Sequence, residues 1–289
     1  MSQLPELFLV KAFTSKPDGG NAAGVVLNAD ALKQERKQEI AASLGLSETA
    51  FVSESAVGDV KVEFFTPVRQ IPHCGHATVA TFGLLLEKGL VQEPGAVKES
   101  IVGPRQISLN GGKVYQAQLA PKYKAAAEEG VSVEQIAASL GLQTSDLVSE
   151  PLLASTGVWF MLIQVQEENV LRSLQPDQEK IATLSEKLNL VGYYVFTTAT
   201  EAAHASARMF APSYGIPEES ATGMAAGPLA CHLYDHLQIR HTNYLIHQGY
   251  LMQPSSPSQI EVQLHLRENG SINGLQVGGP AVVVEQLAL

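Results

Sequence analysis

Glu48 follows a helix stop at Gly45 and precedes an apolar run, Ala50-Phe51-Val52. A carboxylate at such an element edge is partly desolvated, which raises its pKa toward working pH and lets it exchange protons. A solvated turn glutamate has the same spacing, so position alone leaves both readings open. Two small-residue stretches offer a second kind of chemistry. Gly75-His76-Ala77-Thr78 and Ala221-Thr222-Gly223-Met224-Ala225-Ala226 each open an apolar helical pattern. The N–H groups at a helix start make a positive end suited to a carboxylate, although ordinary packing of small residues reads the same way. His73, Cys74 and His76 are a conceivable metal cluster, and His232 with His236 has the i, i+4 spacing of a helical pair. Neither supplies a complete ligand set, so no metal is expected.

The two stretches belong to a longer repeat. Phe65-Thr66-Pro67-Val68-Arg69-Gln70-Ile71-Pro72 and Phe210-Ala211-Pro212-Ser213-Tyr214-Gly215-Ile216-Pro217 share Phe, Pro, Ile and Pro in register, 145 residues apart in a chain of 289. Upstream, Leu44-Gly45-Leu46 matches Leu188-Asn189-Leu190 at an offset of 144. Each closes a helical segment and enters an apolar strand. The register predicts two similar domains with their helix starts turned toward one site, and such sites favour the interface of the copies. The register partner of Glu48 is Gly192, so the acid belongs to one half only. A literal repeat of Ile-Ala-Ala-Ser-Leu-Gly-Leu, at Ile40 to Leu46 and Ile136 to Leu142, has an offset of 96 that conflicts with this register. It reads as two helix ends, each stopped by glycine.

The elements that must hold these groups follow from periodicity. Leu7 to Phe13 and Gly24 to Leu27 read as strands, Ala31 to Leu44 as an amphipathic helix, Ala50 to Val52 and Val60 to Phe65 as strands, and Ala77 to Glu87 as a mostly buried helix. Gln118 to Gly130, with Pro121 and a polar Ala/Glu/Lys run, reads as a linker. Leu152 to Val165 and Val191 to Thr198 supply strands for the second half. Pro228 is expected to kink the second helix or make it irregular. The last strand, Ala281 to Leu289, can pair with either half. The fold class is α+β, with antiparallel hairpins dominant. The domains are placed at 1–117 plus 277–289 and at 118–276.

A content of 45% hydrophobic residues is enough for two cores. The formal charge of −10 argues against a nucleic-acid or anionic-membrane partner. The opening MSQLPELFLVKAF has no basic n-region, and the uncharged runs near Leu152 to Gln166 are too short and polar to cross a bilayer. A cytoplasmic protein is the expectation. Cys74 and Cys231 are the only cysteines, so a disulfide framework is not expected.

Across nearly the whole chain the motifs resemble one family. Gly20-Asn21 before a strand, Ser47-Glu48-Thr49-Ala50-Phe51-Val52, Phe65-Thr66-Pro67, Cys74-Gly75-His76-Ala77-Thr78, Ala221-Thr222-Gly223 and Gln248-Gly249 occur in the order and spacing of the PhzF-like phenazine biosynthesis proteins. Those proteins share the diaminopimelate epimerase fold. The stretch from Arg208 through Ala230 is similar to the phenazine-pathway members themselves. The resemblance implies two pseudo-symmetric domains, each a mostly antiparallel sheet wrapped around a central helix, with the active site in the cleft between them. It implies Glu48 as general acid/base, His76 and Glu219 as assisting groups, and a homodimer. Asn21, Cys74, Gly75, Thr222, Gly223 and Met224 are the implied contacts to a small carboxylate substrate.

The implied reaction is a cofactor-independent isomerisation like that of trans-2,3-dihydro-3-hydroxyanthranilate. Departures fall in the implied pocket. Phenazine-pathway members have aspartate where this chain has Glu219, and serine where it has Met224. Many relatives have an acid where it has Gln70. In racemases of the same fold a cysteine at the position of Cys74 is one of a thiol pair that moves an α-proton. Here Cys231 lies about two turns into the second helix, too far along to serve as the other thiol. A racemase or epimerase using Cys74, and a non-catalytic binding protein that keeps the fold, are the alternative readings.

Overall fold

Apolar residues on alternate positions give the chain its first hairpin, in which β1 (Glu6–Ala12) pairs antiparallel with β2 (Asn21–Leu27). The computed structural model describes residues 4–289 and divides into two compact units. One comprises residues up to Ala117 together with Gly278–Leu289, and the other Gln118–Val277. Val277, placed with the first domain in the sequence reading, belongs to the second.

In the first unit, α1 (Gln34–Leu44) links β2 to β3 (Thr49–Ser53), which pairs parallel with β2. The helix starts later than its periodicity predicts. Asn28, in the left-handed region, opens a 3-10 turn over Ala29–Ala31, and Leu32 is extended. β4 (Val60–Phe65) pairs antiparallel with β3 and with β5 (Gln70–Ile71), and α2 (Gly75–Glu87) follows. β6 (Gly95–Glu99) runs parallel to β4, and β7 (Arg105–Asn110) joins it to β8 (Lys113–Leu119) by antiparallel pairs. Nine of the thirteen α2 residues are buried, the pattern of a helix enclosed on all sides. Its threonines return their hydroxyls to the helix, Thr78 to the Cys74 carbonyl at 2.7 Å and Thr81 to Ala77 at 2.6 Å. No buried donor is thereby wasted.

The second unit opens with β9 (Lys122–Ala125), α3 (Val133–Ser139), β10 (Leu152–Ser155) and β11 (Trp159–Gln164). The expected linker is therefore structured. β9 pairs antiparallel with β10, and a 3-10 turn over Ala126–Glu129 ends at Gly130. Its exposed lysines alternate with half-buried Tyr123 and Ala125, the pattern of an edge strand, which composition alone hides. Then come α4 (Glu168–Ser173), α5 (Gln178–Lys187), β12 (Gly192–Thr197), β13 (Ala205–Ala211), β14 (Ile216–Glu219), α6 (Gly223–Asp235), β15 (Asn243–Gln248), β16 (Ser258–Leu266) and β17 (Ile272–Gly279). α6 stays helical through Pro228.

The pairing order of the first unit recurs in the second. β11 and β12 are parallel like β2 and β3, β12 and β13 antiparallel like β3 and β4, and β13 and β15 parallel like β4 and β6. β14 and α6 take the places of β5 and α2, and both central helices are thirteen residues long. The register extends to single residues. Gly45 (φ 62°) and Asn189 (φ 52°) both end their helices in the left-handed conformation. The literal repeat is confined to helix ends, since Gly141 (φ 72°) stops α3 in the same way. The last strand, β18 (Ala281–Leu287), pairs with β1 and so completes the first unit. This α+β fold is the one the resemblance implies. No helix among the described residues is long and apolar enough to cross a membrane.

Candidate active site

Glu48 is fixed through its backbone. Gly24 of β2 donates its N–H to the Glu48 carbonyl at 3.2 Å. A Cβ on Gly24 would lie 2.9 Å from Leu44 Cδ1 and 3.1 Å from Thr49 Oγ1, so a larger residue here would have to push these side chains aside. At Gly192, the register partner of Glu48, a Cβ would sit 2.1 Å from the Phe210 carbonyl oxygen. The second unit has no room for an acid there.

The Glu48 side chain meets the start of α2. His76 Nε2 lies 3.2 Å from Glu48 Oε2, at ion-pair distance but off the line of a hydrogen bond, and both side chains are largely buried, 6% and 13% exposed. Cys74 Sγ is 3.5 Å from the other ring nitrogen, Nδ1. One ligand-type atom from each of Glu48, Cys74 and His76 lies within 4.8 Å of the others. His73 does not join them. Its Nδ1 is 3.4 Å from Lys98 Nζ, and its ring stands edge-on to Phe64. The grouping of Cys74 and His76 therefore takes in Glu48 and leaves out His73. Gly75, at the first helical position, has its carbonyl held by Gln116 Nε2 at 2.8 Å. Asn21 is buried at the start of β2, opposite Ala12 and three residues before Gly24. Gln70 donates its amide to Glu63 Oε1 at 3.4 Å.

Sequence reasoning passed over Lys98. It is fully buried on β6, where Ala96 and Lys98 are the two inward positions. Its ammonium donates to Thr78 Oγ1 at 2.9 Å and lies 5.1 Å from the Phe64 ring centre. Burial pushes its pKa down to about 8, with Cys74 acting in the opposite direction. His73, by contrast, is exposed at the surface, and local desolvation with the Lys98 and Arg105 charges shifts its pKa downward. The period-2 pattern of β6 was the available signal, since it groups Lys98 with Ala96.

In the second unit the start of α6 is bound up by Gln248. The Gln248 amide oxygen accepts from Tyr194 Oη at 2.9 Å and from the Thr222 N–H at 3.1 Å. Its nitrogen donates to the Glu219 carbonyl at 2.7 Å and to Thr222 Oγ1 at 3.1 Å. Thr222 passes its hydroxyl proton to Glu219 Oε2 at 2.7 Å. The Thr222 N–H, expected to face a ligand, is thus engaged by protein. Burial and the Glu219 charge raise the pKa of Tyr194 well above the usual phenol range. Gln118 Nε2 reaches the Gly223 carbonyl at 3.1 Å and Met224 Sδ at 3.6 Å. Met224 Cε also lies beside Gly157. Glu218, next to Glu219, makes a two-pronged pair with Arg208, both contacts at 2.7 Å. A buried hydroxyl in an apolar strand needs a partner, and Tyr194 was the clue that some side chain like Gln248 had to be there.

The remaining expected groups are structural in their surroundings. Cys231 is fully buried in α6, and burial, then the Asp235 charge, push its thiol pKa upward. His232 and His236 stack with ring centres 5.1 Å apart, and burial lowers His232 to about 4.

The geometry is that of a two-unit α+β protein with a carboxylate, an imidazole and a thiol gathered at the start of one central helix. The family model for phenazine biosynthesis-like (PhzC-PhzF) proteins matches residues 10–286. The chain is 35% identical over 286 residues to an uncharacterized isomerase of Deinococcus radiodurans, covering 95% of this chain and 91% of that one. It is 31% identical over 238 residues to the trans-2,3-dihydro-3-hydroxyanthranilate isomerase of Pseudomonas aeruginosa, covering 80% of each. A crystal structure of a PhzF-family phenazine biosynthesis protein from Bacillus anthracis superposes with a TM-score of 0.89 at 29% identity, covering 99% of both chains. The chain belongs to the phenazine biosynthesis-like protein family.

Proposed function

We propose that the protein is an isomerase that moves a proton between two carbons of a small carboxylated metabolite, with Glu48 as the acid/base and no cofactor or metal in the reaction. The observation that carries this reading is the buried approach of His76 Nε2 to Glu48 Oε2, 3.2 Å. Family membership supports the reaction class, because relatives of this chain are isomerases. Ionised Glu48 takes the proton from one carbon, and the electron pair left behind shifts through the substrate. The protonated carboxyl, whose proton exchanges with solvent, then delivers a proton to the second carbon, so that no atom is gained or lost.

His76 holds the carboxylate in place. The tautomer with its proton on Nε2 places a partial positive charge beside Glu48 and leaves Nδ1 to accept from the Cys74 thiol. The N–H groups of Gly75 and His76, at the positive end of α2, suit the substrate carboxylate. Glu219, Asn21, Thr222, Gly223 and Met224 enter the proposal on family resemblance. Glu219 would assist as a second acid, and Met224, which replaces a hydroxyl donor with a flexible apolar group, would alter substrate choice. The same resemblance extends the proposal to a homodimer.

Glu48→Gln keeps the side chain's size and removes the exchangeable proton. Turnover of trans-2,3-dihydro-3-hydroxyanthranilate is expected to fall about 10²–10⁴-fold with the melting temperature unchanged. Undiminished turnover contradicts the proposal. The contact of Cys74 Sγ with His76 Nδ1 at 3.5 Å favours one second reading, in which the thiol moves the proton of an amino-acid-like substrate. Racemisation abolished by Cys74→Ser but retained in Glu48→Gln would favour it over the first.

A further inference from the structure

We propose that Glu48, Cys74 and His76 form a binding site for a thiophilic divalent cation, with Zn2+ as its first representative, and that the bound ion blocks the carboxylate. The three residues offer an oxygen, a sulfur and a nitrogen within 4.8 Å of one another. Zn2+ binds such atoms at about 2.0–2.3 Å, which sets ligand pairs roughly 3–4 Å apart. His76 meets Glu48 through Nε2 at 3.2 Å and Cys74 through Nδ1 at 3.5 Å. One ion takes one of these nitrogens, with the sulfur and a carboxylate oxygen within 4.8 Å of it and of each other.

The backbones that carry the ligands are already fixed. Gly24 holds the Glu48 carbonyl, and Thr78 holds the Cys74 carbonyl through both its N–H and its hydroxyl. Rotation of side chains is all that remains. The donor set selects the ion, because thiolate and imidazole favour borderline-soft cations, while Mg2+ and Ca2+ require oxygen cages. Three protein ligands leave a fourth position for water or a carboxylate. On binding, the thiol proton leaves to solvent.

Metal binding stands on the ligand geometry alone, whereas inhibition rests on the proposed role of Glu48. The test therefore reads binding. The full-length protein is dialysed against Zn2+ and, separately, against Mg2+, and the Co2+ form is examined by absorption spectroscopy. One Zn2+ per chain and no stoichiometric Mg2+ are expected, with a sulfur-to-cobalt charge-transfer band in the Co2+ form. Losing a ligand should cost at least the tenfold or so that outer-shell changes cost. Cys74→Ser and His76→Gln should therefore each weaken Zn2+ binding by about tenfold or more, and Cys74→Ser should lose the cobalt band. Cys231→Ser should keep both. Failure of the wild type to take up stoichiometric Zn2+, or undiminished uptake in both ligand variants, overturns the proposal.

Discussion

Lys98 Nζ donates to Thr78 Oγ1 at 2.9 Å, and Thr78 in turn donates its hydroxyl to the Cys74 carbonyl at 2.7 Å. A fully buried ammonium thus braces the start of α2, and no ion pair among the described residues gives it a carboxylate. Its folded pKa of about 8 lies below the ordinary lysine value of 10.5. The unfolded chain therefore binds more protons than the folded one between these values, and the cost of the buried charge is full below pH 8 and fades toward pH 10.5. Lys98→Met removes that charge. Its stability relative to wild type should be greater at pH 7 than at pH 10.5, by up to about 3 kcal/mol, as denaturant melts at the two pH values will read. A pH-independent difference contradicts the buried charge.

His232 gives the corresponding behaviour in acid. Burial holds its folded pKa near 4, against an ordinary 6.5, so it contributes stability above pH 6.5 that is lost as pH falls through 4. At most roughly 3 kcal/mol is involved. His232→Leu should flatten the fall in stability of the second unit between pH 6.5 and 4, measured by urea unfolding across that range.

Gln248 should prove far more sensitive than a surface glutamine. It makes four hydrogen bonds, to Tyr194, Glu219 and twice to Thr222. Gln248→Leu leaves those buried partners unsatisfied, and each such loss costs about 1–3 kcal/mol. A destabilisation of roughly 3 kcal/mol or more is expected from chemical denaturation. Gln248→Glu keeps the acceptor for Tyr194 and the Thr222 N–H but faces the Glu219 carbonyl, so it should recover only part of that loss.

Much of this molecule is legible in its sequence because it is written twice. The shared Phe, Pro, Ile and Pro, and the left-handed stops at Gly45 and Asn189, mark equivalent turns where local backbone geometry restricts residue choice. Glu48 stood out because its counterpart is glycine, and the Gly192 backbone approach explains why. What could not be read depends on contacts distant in sequence. β9 looked like a linker because an edge strand needs few apolar residues. Lys98 drew no notice because a lysine is ordinarily a surface residue, and the pairing of β6 with β4 and β7 turns it inward. Whether His73 or Glu48 joins Cys74 is decided by side-chain direction at the turn before α2, which residue spacing does not encode.

The central claim is that Glu48 carries a proton from one substrate carbon to another. Proton NMR of trans-2,3-dihydro-3-hydroxyanthranilate in deuterated buffer, with wild-type protein and with Glu48→Gln, tests it most directly. The account predicts deuterium at a substrate carbon and product formation with wild type, and neither with the variant. Label entering at the same rate with Glu48→Gln would show that another group moves the proton.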